Sequence, residues 1–156
     1  MNMNTRPVLL VEDNLDDVEL TRETLQRARI MNDLIVINDG EAALDSLVRA
    51  VGGGAKPESL PAVVLLDLNL PKLDGFGVLK QIRADERLRR LPVIILTTSP
   101  EQESVGKCYE LYADHFIRKP VNLERLTEAI RHLGLGWVLV DAPPPVVKYV
   151  KPDDPL

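Results

Sequence analysis

VVLLDLNLPKLDGFGVLK, residues 63–80, carries the fold in miniature. Val63-Val64-Leu65-Leu66 is a short unbroken run of Val and Leu, the composition of a strand covered on both faces. Asp67 ends the run, and Asp74 opens a helical pattern with Val78, Leu79 and Ile82 on one face. The same strand-then-helix unit recurs on either side. Val8-Val11 precedes a segment capped by Asn14, with Asp16, Asp17 and Glu19 early and Arg27 and Arg29 late, matching the helix dipole, and carrying Leu15, Val18, Leu25 and Ala28. Leu34-Ile37 precedes Leu44, Leu47, Val48 and Val51 at helical spacing. Val93-Leu96 precedes Ser99-Pro100-Glu101-Gln102, an N-cap serine, a first-turn proline and a capping-box glutamine. That helix would bury Val105, Cys108, Tyr109 and Tyr112. His115-Phe116-Ile117 then precedes Leu123, Leu126, Ile130 and Leu133. Five strands alternating with five helices predict an α/β fold: a doubly wound, flavodoxin-like parallel sheet of order 2-1-3-4-5, because parallel neighbours need long crossovers.

The totals exclude several classes. A chain of 156 residues, 45% hydrophobic and 28% charged, fits one globular unit, and no apolar run approaches the roughly 20 residues that span a bilayer. Membrane insertion is not expected, and the polar N-terminus lacks the long apolar core of an export signal, so the expected location is cytoplasmic. A lone Cys108 fits a reducing compartment. Net charge is −5 and the basic residues are scattered, which speaks against nucleic acid as a partner. His115 and His132 sit far apart in sequence and lack metal-ligand spacing. The Gly52–Glu58 stretch reads as a surface loop.

In an open α/β sheet the crevice lies outside the carboxyl ends of the strands where the winding reverses, here strands 1 and 3. Those ends carry Glu12-Asp13 and Asp67, beside Thr97 at the end of strand 4 and Lys119 past strand 5. Acids at strand ends are common solvated loop residues, and Thr97 or Lys119 alone would mean little. Together they form a chemical set. Three crowded carboxylates call for a cation, and all-oxygen ligation suits Mg²⁺. With Glu12 and Asp13 neutralised, Asp67 can attack a phosphoryl group as a nucleophile, with Lys119 countering charge on the phosphoryl oxygens and Thr97 donating to one of them. Asp16, Asp17 and Asp74 read as caps or first-turn acids.

At these residues the sequence resembles the receiver domains of two-component response regulators, through VLLVEDN, LLDLNLPKLDGFGVL, VIILTTS and FIRKP. The resemblance runs from about Arg6 to Leu133, so residues 1–133 are expected to be the receiver and 134–156 a Pro-rich C-terminal extension. It implies that Glu12 and Asp13 are the acidic pair, Asp67 the phosphoacceptor and Asn69 a Mg²⁺ ligand through its backbone carbonyl. It also makes Thr97 and Phe116 the switch pair, remodelling a face built over about Pro100 to Leu133. Phe116 stands where many members have Tyr, which removes a hydroxyl from that face. The Lys119-Pro120 bond looks like the cis peptide common in the family. A phosphoacceptor of this kind takes its phosphoryl group from a sensor histidine kinase and is a signalling protein rather than an enzyme acting on outside substrates. The Gly-rich loop, the Glu12-Asp13-Asn14-x-x-Asp17 start and the Trp137-bearing tail resemble the single-domain regulators paired with bacterial phytochrome kinases.

The 23 residues after Leu133 are too few for an effector domain, so output is expected through a downstream protein or phosphotransfer partner. Trp137-Val138-Leu139-Val140 and Val146–Val150 are apolar for a tail and should pack. Either the tail folds back on its own core, or Trp137, Val138, Leu139 and Val140 form an arm that joins two copies as a homodimer; the arm is the preferred expectation. Three rivals remain. A chemotaxis-type motor or kinase-binding regulator would differ in the partner captured. A haloacid-dehalogenase-type phosphohydrolase resembles a pattern with a second Asp where Asn69 stands. A flavodoxin-like cofactor binder would want a phosphate-cradling loop where Glu12-Asp13 would repel the anion.

Overall fold

The computed structural model describes residues 6–52, 60–98, 110–133 and 146–150. Strand β1 (Val8–Val11) leads into helix α1 (Leu15–Arg27), β2 (Leu34–Ile37) into α2 (Gly40–Val51), and β3 (Val63–Asp67) into α3 (Gly75–Ala84). Strands β4 (Val93–Thr97) and β5 (His115–Arg118), helix α4 (Leu123–His132) and strand β6 (Val147–Tyr149) complete the described elements. The sheet is parallel throughout, in the order β5-β4-β3-β1-β2-β6. The first five strands thus stand in the predicted flavodoxin-like order. The helix expected from Ser99, with Val105, Cys108 and Tyr109, lies outside the described residues, as do most of the Gly-rich loop and Trp137–Val140.

Strand alternation builds the two faces of the core. Leu9, Val11, Ile35, Ile37, Val64, Leu66, Val93 and Ile95 pack with α2 and α3 residues such as Leu47, Val78 and Ile82. Val8, Leu10, Leu34, Val36, Val63, Leu65, Ile94 and Leu96 pack on the other side with Val18, Leu25, Leu126 and Ile130 of α1 and α4. Both faces are covered over β1 to β4, which is why those strands show no alternation of polar and apolar residues. The helices start where their caps put them. Asn14 Oδ1 accepts from the Asp16 and Asp17 amides at 2.9 and 3.1 Å, Asp39 Oδ1 from Ala42 at 2.7 Å, Asp74 Oδ1 from Gly77 at 2.9 Å and Asn122 Oδ1 from Arg125 at 2.8 Å.

Four expectations change. The sheet has a sixth strand: Val147–Tyr149 pairs with the chain's own β2, in the register Leu34↔Val147. The Leu34 amide donates to Val146 O at 2.8 Å, Val150 N donates to Val36 O at 3.0 Å, and the Asp33 carboxylate receives the Val146 amide at 2.9 Å. Val150 is buried in the core, so this part of the extension takes the folded-back arrangement. Tyr112 is not a core residue; it is exposed at a φ of 60°, where the chain has left a helical path. Leu15, Val48 and Leu123 are also exposed, Leu15 and Leu123 as first helical residues lying beyond the edge of the core. Finally, His115 and His132, distant in sequence, meet between β5 and α4 with ring centroids 5.3 Å apart.

Candidate functional site

Register carries the polar set to one end of the sheet. Val11 stands opposite Leu66 in the β1–β3 pair, so Glu12 and Asp67 leave the two strands side by side. Asp67 stands opposite Leu96, and Thr97 opposite Arg118, which brings Lys119 next in line. The Lys119 amide donates to Thr97 O at 2.7 Å, tying the loop after β5 to the end of β4. The Lys119-Pro120 peptide is cis, as the resemblance implies. At the back of the site Gly75 lets α3 start against β3: a Cβ there would lie 2.4 Å from Asp67 O and 2.7 Å from Leu68 Cα.

The carboxylates of Glu12, Asp13 and Asp67 place ligand oxygens within 4.8 Å of one another, with Glu12 and Asp67 buried and Asp13 exposed. Lys119 supplies the opposing charge. Its Nζ contacts Glu12 Oε1, lies 3.0 Å from Asp17 Oδ2 and 3.3 Å from Asp67 Oδ2, and the side chain is 7% exposed. The second Asp67 oxygen, Oδ1, accepts from the Asn69 amide at 3.2 Å. Thr97 is buried at the same strand ends, and Phe116 is half-buried on β5 against the α2–α3 side of the core.

The electrostatics are those of a site short of positive charge. Burial, reinforced by the neighbouring Asp67 carboxylate, pushes Glu12 up to about 8, and Lys119 offsets this only in part. Burial alone would lower the Lys119 ammonium; its bonds to Glu12 and Asp17 and the charges of Glu12 and Asp67 outweigh that and hold it at about 12. One ammonium faces three carboxylates, those of Glu12, Asp17 and Asp67, and Asp13 adds a fourth acid to the site. A hard divalent cation fits the oxygen-only trio, with room on its exposed Asp13 side for further oxygens. An approaching phosphoryl group would find the Lys119 ammonium beside Asp67.

Asp17 is the residue that sequence reasoning does not place here. By spacing it is a first-turn acid of α1; in the structure it reaches Lys119 from that turn. The available signal is the Asn14 cap, which fixes where α1 begins and so on which side of the first turn Asp17 emerges. Asp16, by contrast, is an exposed first-turn acid, and Asp74 caps α3 as expected.

Residues 8–131 match the response regulator receiver domain family. The chain belongs to that family. Among curated relatives it is 41% identical over 133 residues to the probable methanogenesis regulatory protein FilR2 of Methanothrix harundinacea, covering 83% of this chain and 84% of the relative. It is 37% identical over 131 residues to the response regulator Rcp1 of Synechocystis, covering 84% and 88%. Among solved structures, the bacteriophytochrome response regulator RtBRR superposes with a TM-score of 0.77 at 45% identity, covering 90% of this chain and 84% of that one. The Mn²⁺-bound form of Rcp1 superposes at 0.66 with 35% identity, covering 89% and 99%. The solved relatives thus include a bacteriophytochrome response regulator, a Mn²⁺-bound response regulator and a receiver domain with Mg²⁺ in its active-site cleft. Among the described residues no helix is long and apolar enough to cross a membrane.

Proposed function

We propose that this receiver accepts a phosphoryl group on Asp67 from a sensor histidine kinase of the phytochrome type and signals by changing its protein contacts. The observation that carries the reading is the Lys119 ammonium held 3.3 Å from Asp67 Oδ2 among the buried carboxylates. Glu12, Asp13 and Asp67, with the Asn69 carbonyl, would hold Mg²⁺; when bound, the ion supplies positive charge to the phosphoryl oxygens and neutralises the acidic pair. Asp67 provides the attacking oxygen: an O–P bond forms while the bond from phosphorus to the donor's nitrogen or oxygen breaks, and that atom leaves with the electron pair and takes up a proton. Lys119 donates to an equatorial oxygen of the transferring group, and Thr97, buried beside Asp67, donates to another once the aspartyl phosphate stands. Phe116, half-buried on the next strand, turns with Thr97 and remodels the face over about Pro100 to Leu133, where a downstream protein or phosphotransfer partner docks.

Support for the phytochrome pairing comes from the likeness to RtBRR and Rcp1, and support for Mg²⁺ from the carboxylate trio and the Mn²⁺-bound Rcp1. The receiver is taken as residues 1–133 and the extension as 134–156. Trp137–Val140, outside the described residues, supplies the apolar composition of a homodimer arm, read out by gel filtration before and after phosphorylation. The test of the whole is intact-mass measurement after incubation with Mg²⁺ and a small-molecule phosphodonor. Wild type should gain one phosphoryl group and Asp67→Asn none; an adduct on Asp67→Asn overturns the assignment. Phosphotransfer from a phytochrome-type kinase, set against a chemotaxis-type kinase, tests the partner.

A further inference from the structure

We propose that Asp17 is a positioning residue for phosphoryl transfer, holding the Lys119 ammonium over Asp67 from the first turn of α1. The inference rests on Asp67 being the phosphoacceptor. An ammonium has three donors, and those of Lys119 face Glu12, Asp17 and Asp67. Glu12 and Asp67 belong to the carboxylate trio, so their oxygens are the ones a cation or a phosphoryl group would engage. Asp17 stands outside that trio, and among the described residues its carboxylate bonds to Lys119. Its side chain is 31% exposed but its backbone is fixed, because Asn14 Oδ1 accepts the Asp17 amide at 3.1 Å. Helix α1 therefore supplies an anchor 3.0 Å from Nζ, while Asp67 Oδ2 lies 3.3 Å from the same nitrogen.

The physical reason for such an anchor is the lysine itself. A four-carbon stem carries considerable rotamer freedom, and an unanchored ammonium deep between strand ends would swing toward Glu12 and away from the reacting oxygen. Pinning it with a charge-assisted bond orients one donor toward Asp67 before the phosphoryl group arrives. Because the bond is partly exposed, the expected effect is modest: removing it slows phosphorylation roughly fivefold, the size of a single screened ion pair. The donor concentration at half-maximal rate stays unchanged, since Asp17 does not touch the donor.

The experiment uses the full chain with acetyl phosphate and Mg²⁺, followed by intact mass, for wild type, Asp17→Asn, Asp17→Glu, Lys119→Met and the Asp17→Asn/Lys119→Met pair. Asp17→Asn should slow the maximal rate, Asp17→Glu should recover part of it, and Asp17→Asn should add nothing when Lys119 is already methionine. An unchanged or faster Asp17→Asn protein overturns the proposal. So does a slowing of equal size in the Lys119→Met background, which would mean that Asp17 acts through helix α1. Unfolding midpoints of the same proteins in chelator, with neither donor nor metal, read the contact separately: coupling between the two substitutions supports it, and strict additivity refutes it. Should wild type take up no phosphoryl group while that coupling is present, the phosphoacceptor reading fails and the contact survives.

Discussion

Stability of the metal-free protein should fall as pH rises, opposite to most carboxylate behaviour, and the cause is Glu12. Its folded-state value of about 8 lies above the ordinary 4.5, through burial and the Asp67 carboxylate beside it. A group raised in the folded state binds its proton more tightly there, so its stabilising contribution is complete below about pH 4.5 and is lost as pH climbs through about 8. Between about pH 5 and 7.5 that loss is on the order of 3 kcal/mol, at roughly 1.4 kcal/mol for each pH step of one. Lys119, held at about 12, stays charged across the whole window and contributes no slope there. The assay is urea unfolding in chelator at half-unit pH steps, for wild type and Glu12→Gln. Wild type should lose stability as pH rises across the window, and Glu12→Gln should lose that downward slope and be more stable at the alkaline end. Added Mg²⁺ should raise wild-type stability at the alkaline end by about 2.7 kcal/mol at a hundredfold excess over its dissociation constant, and Glu12→Gln much less. If Glu12→Gln keeps the wild-type slope, the buried acid is not the source and the account of the site's charge is wrong.

Three further outcomes follow from the same structure. Gly75→Ala should cost about 1–3 kcal/mol in urea unfolding and slow phosphorylation of Asp67, because the new methyl must displace backbone at the end of β3. Leu65→Ala, fully buried between β3 and the α1–α4 side, should cost about 2–5 kcal/mol by the same measurement with the fold retained in circular dichroism. Burial, with the nearby His132 charge, lowers His115, so the folded state favours its neutral form and stability should fall as pH drops below about 6.5; in a Glu12→Gln background, which removes the opposing slope, His115→Gln should abolish that fall.

The parts legible in the sequence were those where one physical rule acts alone. Runs of only four Val, Ile and Leu residues between turn signals read as strands covered on both faces, and the strand-end rule then brings Glu12, Asp67 and Thr97 together. Features decided by two elements at once were not legible. Val147–Tyr149 is three residues beyond a run of prolines, too short to announce a strand; β2 and the Asp33 carboxylate make it one. Tyr112 sits at helical spacing from Cys108, yet a left-handed turn places it outside. Asp17 and His115 each find a partner, Lys119 and His132, only when a helix has been laid against a strand end. Neither spacing nor residue type encodes that docking.

Strand β6 has a consequence for how copies of this chain behave in crowded solution. Without it the sheet would end at Leu34-Ile35-Val36-Ile37, four apolar residues whose outward amides invite edge-to-edge stacking. With it the margin becomes Val147-Lys148-Tyr149, a strand only three residues long whose lysine stands in solvent. Short, charged margins are poor templates for aggregation. The extension thus guards the molecule's solubility, and a chain cut after α4 should be the one that precipitates first on concentration.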